Sequence, residues 1–241
     1  MISYVGIRGD EDREGYISKK NTIQSIFPFR RNIWSEDVNK LILANSGIAY
    51  YYTEATDTFG QITDAAFPIA SSITSLDGYT IVSEAETGKF FVSDLRDTTV
   101  WSSLAQGTAE ALSDNIVALA TYQRQLFLLG ESSIEVWYDS GVTAQPFRPI
   151  NQTFIAQGCI GKNALTVSQS GLFWVADSKS IFWTQSFSVK KISTFGIDYL
   201  LSQISKPENI IAFLENDLES KLPLRGKNSA LTIIKFPCSR A

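Results

Sequence analysis

A β-hairpin pattern runs through Gln125-Leu126-Phe127-Leu128-Leu129-Gly130-Glu131-Ser132-Ser133-Ile134-Glu135-Val136-Trp137-Tyr138. Two apolar segments of strand length, one on each side, flank the polar residues Glu131-Ser132-Ser133. Both segments are rich in the aliphatic and aromatic side chains that are frequent in strands. Another apolar segment, Asn115–Ala120, comes before and is separated from the first by a turn near Gln123-Arg124. This part of the chain is therefore predicted to form a unit of antiparallel strands.

Two further units of this kind are predicted, one at 77–101 with a turn at Glu86-Thr87-Gly88 and one at 163–183 with a turn at Gln169-Ser170-Gly171. In every unit a phenylalanine of the second strand precedes a tryptophan of the third by ten residues. The pairs are Phe91 and Trp101, Phe127 and Trp137, and Phe173 and Trp183. The tryptophans follow one another after 36 and 46 residues, which is close to the length of one blade in a β-propeller.

A fourth, weaker unit reads Lys40–Ala44, a turn at Asn45-Ser46-Gly47, and Ile48–Tyr52, without a matching tryptophan. Such hairpins cannot bury their apolar faces alone, whereas stacking them around an axis covers these faces. The fold predicted is mostly β, a propeller-like array of antiparallel hairpin blades that need not be complete. A β-sandwich is the competing prediction.

The ends of the chain depart from this pattern. Residues 1–36 are predicted to form an N-terminal arm or a partial blade, residues 37–200 the propeller-like body, and residues 201–241 a C-terminal helix and tail. Ser205 and Glu208 have the spacing of a capping box, and apolar residues follow at helical intervals. One short helix is therefore predicted at about 205–220.

Composition excludes several function classes. The net charge is −4 and no basic run exceeds a pair, so sequence-specific DNA binding is not expected. The chain has no histidine, which removes the most frequent general base and zinc ligand. Cys159 and Cys238 are too few for a disulfide framework and are expected to be free thiols of a protein made in a reducing cytoplasm. No signal peptide or membrane span is expected.

Carboxylate pairs are the remaining candidates for catalysis. Glu84 with Glu86, or Asp94 with Asp97, would suit an acid and base for glycoside cleavage. Carboxylates in hairpin turns are usually solvated, and we therefore predict no catalytic residue, no cofactor-binding residue, no metal ligand and no enzymatic activity. The aromatic residues could instead stack on sugars, as in a carbohydrate-binding or receptor-binding propeller, but their positions inside strands favour core packing.

From about Leu76 to Ile192 the sequence resembles the packaged-DNA stabilisation proteins of short-tailed bacteriophages, the tail accessory or tail hub proteins. The resemblance lies in residues 88–95, in residues 125–138 with their Gly-x-Ser-Ser-Ile-Glu order, in Pro146-Phe147, and in Gln157-Gly158-Cys159-Ile160-Gly161.

This resemblance implies a virion structural protein with a β-propeller body, made in the host cytoplasm. A homo-oligomeric ring would extend the portal channel, retain the packaged DNA until ejection, and let it pass without specific binding. The partners implied are the portal or its adaptor, the tail needle, and a tail fibre or spike. The alternative is a carbohydrate-binding or receptor-binding propeller; a glycosidase is a weaker one.

Overall fold

The computed structural model describes residues 17–18, 22–23, 33–37, 40–45, 47–142, 145–151, 153–185, 187–215 and 232–237. A short antiparallel pair comes first, β1 (Ile17–Ser18) and β2 (Thr22–Ile23). Four antiparallel sheets of four strands follow, and each sheet is built from strands consecutive in sequence. This meander arises because short apolar segments alternate with tight turns along the chain.

The strands of the four sheets have the following bounds. The first sheet contains β3 (Ile33–Asp37), β4 (Lys40–Asn45), β5 (Ile48–Thr53) and β6 (Thr58–Ile62). The second contains β7 (Ala70–Leu76), β8 (Tyr79–Glu84), β9 (Lys89–Asp94) and β10 (Asp97–Thr108). The third contains β11 (Ile116–Tyr122), β12 (Gln125–Gly130), β13 (Ile134–Asp139) and β14 (Phe147–Pro149). The fourth contains β15 (Leu165–Ser168), β16 (Gly171–Val175), β17 (Ile181–Thr184) and β18 (Val189–Lys191).

Tight hairpin turns set the register in the second and third sheets. Asp77 and Gly78 join β7 to β8, with φ of 52° and 86°, and Gln123 and Arg124 join β11 to β12, with φ of 49° and 59°. Positive φ at both central residues is what a two-residue type I′ turn requires, and its twist matches that of the strands. The turn predicted near Gln123-Arg124 is confirmed.

The sheets stack face to face, and three apolar clusters fill the space between them. One cluster joins the first sheet to the second through Ile42, Ile62, Val82 and Trp101. Another joins the second to the third through side chains such as Phe90 and Trp137. The third lies between the third and fourth sheets and extends to the chain beyond them. The core is thus divided into layers between neighbouring sheets, as expected for propeller blades.

The first strands of consecutive sheets contact one another, β3 with β7, β7 with β11, and β11 with β15. Strand β15 also packs against β19 (Ile210–Glu215), and β19 therefore takes the place of the first strand of a fifth sheet. This strand pairs in parallel with β20 (Thr232–Pro237). Hydrogen bonding does not join the first sheet to the fourth or to β19 in the described part of the chain. The array is a mostly β, propeller-like arrangement that is not closed, which confirms the predicted fold class.

The repeat based on phenylalanine and tryptophan is wrong as a structural repeat. Phe91 and Trp101 lie in the third and fourth strands of their sheet, whereas the other two pairs lie in second and third strands. The error arose because no strand was predicted for the polar segment Ala70–Leu76, which is β7. The true units begin at Ile33, Ala70, Ile116, Leu165 and Ile210, at intervals of 37 to 49 residues.

The helix predicted at 205–220 is also wrong where the structure describes it. Pro207–Asn209 form a 3₁₀ turn without a side-chain cap, and Ile210 begins strand β19. Ile210 and Ala212 are buried, and the Ala212 N–H donates to the Asn163 carbonyl at 2.8 Å. A short apolar run fits both the helical repeat of 3.6 residues and the strand repeat of two. Packing against the fourth sheet stabilises the strand here. Residues 216–220 lie outside the described residues.

The helix of this region is α1 (Phe195–Ser202), and Leu201 is its only buried residue. It leaves Phe195, Tyr199 and Leu200 exposed. The domain boundaries at 36/37 and 200/201 stay predictions.

Candidate functional site

A cleft of about 530 Å³ opens between the outer strands of the second and third sheets. The residues that line it include Lys89, Gln106, Glu110, Glu135, Trp137 and Arg148. Glu135 and Trp137 alternate along β13 and therefore point to the same side of the sheet. The cleft begins where the apolar layer between these two sheets ends, because Trp137 belongs to that layer.

Glu135 is a buried carboxylate in this cleft, and both of its oxygens accept hydrogen bonds. The Ala111 N–H donates to Oε1 at 2.6 Å, and the Trp137 indole N–H donates to Oε2 at 3.0 Å. Ala111 lies in the connection from β10 to β11. Glu135 therefore ties the entry of the third sheet to β13, which is a structural role for a buried charge-assisted hydrogen bond.

Two cationic side chains, Lys89 and Arg148, are exposed at the mouth of the cleft. Neither takes part in an ion pair with a side chain that the structure describes. Together with the side-chain amides of Gln106 and Gln145, which also line the cleft, they can bind an anionic or hydrogen-bonding group. This arrangement is suited to recognition, since its buried carboxylate is already satisfied by two donors.

The carboxylates considered for glycoside cleavage lie at the ends of strands or in the turns between them. Glu84 accepts from the Thr87 hydroxyl at 3.2 Å, Glu86 is an exposed turn residue with φ of 60°, and Asp94 accepts from the Leu95 N–H at 2.8 Å. Asp97 accepts from the Thr99 hydroxyl at 2.6 Å and the Thr99 N–H at 3.0 Å, and these bonds lower its pKa. The hydrogen bonds of Glu84, Asp94 and Asp97 stabilise local turns, and the lowered pKa of Asp97 is the opposite of what a general acid needs.

The tryptophans of the predicted repeat have different environments. Trp101 and Trp137 are buried and pack edge-on against Phe67 and Phe90, respectively. Trp183 is half-buried and lies 6.4 Å from Phe173, and its indole N–H donates to the Ser170 carbonyl. Core packing therefore accounts for Trp101 and Trp137.

Sequence reasoning missed Asp114, which holds the turn of the Gly-x-Ser-Ser segment. Its carboxylate accepts from the Ser132 N–H at 2.8 Å and the Ser133 N–H at 3.1 Å. The only sequence signal was an aspartate just before the strand that begins at Ile116, and aspartate commonly binds nearby backbone N–H groups. The contact spans 18 residues of sequence, so the sequence pattern does not show it.

The segment Gln157–Gly161 links three parts of the chain. The Cys159 N–H donates to the Gly130 carbonyl at 2.9 Å and the Ile160 N–H donates to the Val175 carbonyl at 3.0 Å. A Cβ atom on Gly158 would collide with the backbone of Glu131, and one on Gly161 would lie 2.7 Å from the Glu208 carbonyl oxygen. Both glycines are therefore needed for close approach of backbones.

The described residues contain no group of three Cys, Asp or Glu side chains placed to hold a metal ion. Across those same ranges, no helix is long and apolar enough to cross a bilayer. Cys159 is a buried free thiol, whereas Cys238 lies outside the described residues.

Solved structures with a similar arrangement of strands include three proteins of low sequence identity. The computationally designed Ika4 protein is 15% identical, with a TM-score of 0.42 over 67% of this chain and 90% of that one. The Cps50 (Swd1) β-propeller domain of Myceliophteria thermophila is 9% identical, with a TM-score of 0.48 over 64% of this chain and 55% of that one. YCF48, in a structure bound to D1 peptide, is 8% identical, with a TM-score of 0.45 over 69% of this chain and 51% of that one.

No curated protein matches the sequence. A family model described as bacteriophage P22 Gp10, beta-propeller, matches residues 30–221. The match covers most of the 241 residues and includes all four sheets. It contains the hairpin run 125–138, the Asp114 contact that holds its turn, and the paired glycines 158 and 161. The chain therefore belongs to the phage stabilisation family, the β-propeller proteins typified by Gp10 of bacteriophage P22.

Proposed function

We propose that this chain is a non-enzymatic structural protein of a phage tail, acting as the hub that extends and closes the portal channel. In this role it retains packaged DNA inside the head and seats the tail needle, fibre or spike. The supporting observation is the family match over residues 30–221, the region that contains the four stacked sheets. The family name itself refers to stabilisation in a phage.

The chemistry of the described residues supports a role carried by surfaces. The carboxylates considered for catalysis serve as hydrogen-bond acceptors in turns, and the chain lacks histidine. A net charge of −4 suits a protein that DNA must pass without being held, because each added cationic contact to a phosphate strengthens non-specific binding. The chain would assemble as a homo-oligomeric ring, made in the host cytoplasm and incorporated in the virion.

The decisive experiment compares phage particles made with and without this gene product. Without the chain, heads should fill with DNA and then lose it, so that purified particles contain less nuclease-protected genome. Expression of the chain from a plasmid should restore retention, and mass spectrometry should detect the chain in full particles. A chain absent from mature particles, or DNA retention unchanged by its loss, would contradict the proposal.

A further inference from the structure

Helix α1 has little apolar anchorage to the body of the fold. Leu201 is its only buried residue, and it belongs to the apolar cluster that also contains Ile181 and Ile210. The helix has eight residues, one of them Gly196, and the side chain of its N-cap residue Thr194 makes no capping hydrogen bond. An isolated helix of this length is marginal in water, so contacts with the rest of the chain keep α1 in place.

A carboxylate in the first turn of α1 ties the helix to the fourth sheet. Asp198 Oδ2 lies 2.6 Å from the Nζ atom of Lys191, the last residue of β18. Asp198 Oδ1 accepts from the Ser193 hydroxyl, and the Ser193 hydroxyl oxygen accepts from the Ile181 N–H at 3.0 Å. Both oxygens of Asp198 therefore connect α1 to the fourth sheet, one through an ion pair and one through a relay to the backbone of β17.

The attachment depends on charge. The hydrogen bond from Lys191, followed by that from Ser193, lowers the pKa of Asp198 below its ordinary 3.8, so the carboxylate is ionised at neutral pH. At the other end of α1, the Lys179 ammonium donates to the Ser202 carbonyl at 3.4 Å. The side chain of Lys191 is 48% exposed, and water can solvate it once the pair has separated. Contacts of this kind hold a helix but break at little cost.

The connection that contains α1 is fixed on both sides by the sheets. Before the helix, the Ile192 N–H donates to the Ile181 carbonyl at 2.9 Å. After it, Ile210 is buried and the Ala212 N–H donates to the Asn163 carbonyl at 2.8 Å. The helix between these points can therefore move without pulling β18 or β19 out of place.

We propose that α1 is a detachable strap, which Asp198 fastens to the fourth sheet and which lifts away while the sheets stay folded. Strands β12 and β13 consist mostly of buried residues, whereas α1 contributes one side chain to the core. Local opening of α1 therefore needs much less free energy than unfolding of the body. Lifting the strap takes Leu201 out of its apolar cluster and leaves a gap of leucine size there. The inference is independent of the tail role.

Hydrogen exchange of the full purified chain, followed by mass spectrometry, tests the proposal. In the wild type, the N–H groups of α1 should exchange faster than those of β12 and β13. Lys191→Gln removes the ion pair and leaves Asp198 in the first turn of the helix, where a carboxylate is favourable in itself. It should speed exchange in α1 about threefold to tenfold and leave β12 and β13 unchanged. Circular dichroism verifies that the variant is folded.

Lys190→Gln is the matched control, because Lys190 is the preceding residue of β18 and is also exposed. Successive residues of a strand point to opposite sides, so this substitution should leave exchange in α1 unchanged. Asp198→Asn should speed exchange in α1 as Lys191→Gln does. Adding Lys191→Gln to Asp198→Asn should have little further effect, since the ion pair is already lost.

Two results would overturn the proposal. Equal exchange rates in α1, β12 and β13 of the wild type would mean that α1 opens only with the whole fold. Unchanged exchange in α1 of the Lys191→Gln and Asp198→Asn variants, or effects that add fully in the double variant, would mean that the pair does not fasten the helix. These measurements involve no phage particles, so their failure leaves the test of the tail role unaffected.

Discussion

Phe90 packs edge-on against Trp137, with ring centroids 5.0 Å apart and ring planes at 86°. The first belongs to the second sheet and the second to the third, so this contact joins two blades at the outer end of their shared apolar layer. An edge-to-face pair adds to the stabilisation from burial alone. The contact also anchors Glu135, which accepts from the Trp137 indole N–H.

Trp137→Ala should lower the free energy of unfolding by about 3 to 5 kcal/mol, because it creates a cavity between two sheets. Urea denaturation followed by circular dichroism measures this change. Tyr138→Ala is the matched control, since Tyr138 is the next residue and its side chain is exposed; its cost should be about 1 kcal/mol or less. Equal effects of the two substitutions would show that Trp137 is not a core residue.

Gly158→Ala should destabilise the fold by about 3 kcal/mol, the upper end of the usual cost of overpacking. The reason is that the new methyl group meets the backbone of Glu131, which cannot move aside as a flexible side chain could. Gly196→Ala is the control, because nothing lies within 4 Å of the added Cβ and the site is in α1. This control should be neutral or slightly stabilising. Thermal melts of both variants measure these effects. A Gly158→Ala variant that melted at the temperature of the wild type would contradict the prediction.

Asp64→Asn should destabilise the chain at neutral pH and have a smaller effect in acid. The Trp101 N–H and the Ala66 N–H each donate to Asp64 at 2.9 Å and lower its pKa below the ordinary 3.8. A carboxyl whose pKa is lower in the folded chain contributes stability above the unfolded value, and this contribution is lost as pH falls through the folded pKa.

The difference in unfolding free energy between the wild type and Asp64→Asn should therefore shrink as pH falls below 3.8. Urea titrations at several pH values measure it. Glu86→Gln serves as the control, since Glu86 is exposed in a turn and its loss should give no such trend. A difference that stayed constant down to strong acid would argue against this role of Asp64.

Cys159 should resist alkylation in the folded chain. Burial raises the pKa of its thiol to about 12, so the reactive thiolate is scarce at mildly alkaline pH and the reagent has no access. A Cys238→Ser variant isolates Cys159 for the assay with iodoacetamide or Ellman's reagent. Labelling should be slow in buffer and fast in denaturant; fast labelling in buffer would show that the segment around Cys159 opens readily.

Much of the third and fourth sheets could be predicted from local pattern. The strands at 116–122, 125–130 and 134–139 follow from apolar segments between turns, as do those at 165–168, 171–175 and 181–184. β7 was missed because Ala70–Leu76 is rich in serine and threonine, and two of these side chains are used across sheets. The Ser72 hydroxyl accepts from the Leu119 N–H at 3.0 Å, and Thr74 lies 3.4 Å from the Thr121 hydroxyl.

Local sequence pattern also fails to show the contacts between sheets that form the candidate site. Glu135 and Trp137 belong to a run that was singled out for its strand pattern and family resemblance, but their hydrogen bond and the cleft beside them depend on how two sheets meet. Asp114 and Gly158 were not predicted as structural positions, because each acts on backbone groups 18 to 27 residues away in sequence. The spacing of one hairpin carries no information about such contacts.

The amino-acid order alone determined that this chain forms short antiparallel strands with tight turns, because period-2 alternation and turn residues act over a few neighbouring positions. Tertiary structure decided which strands share a sheet and that Ile210–Glu215 is a strand and not a helix. These outcomes depend on burial between sheets distant in sequence, and the free energy of that burial outweighs the local preference of a short apolar segment.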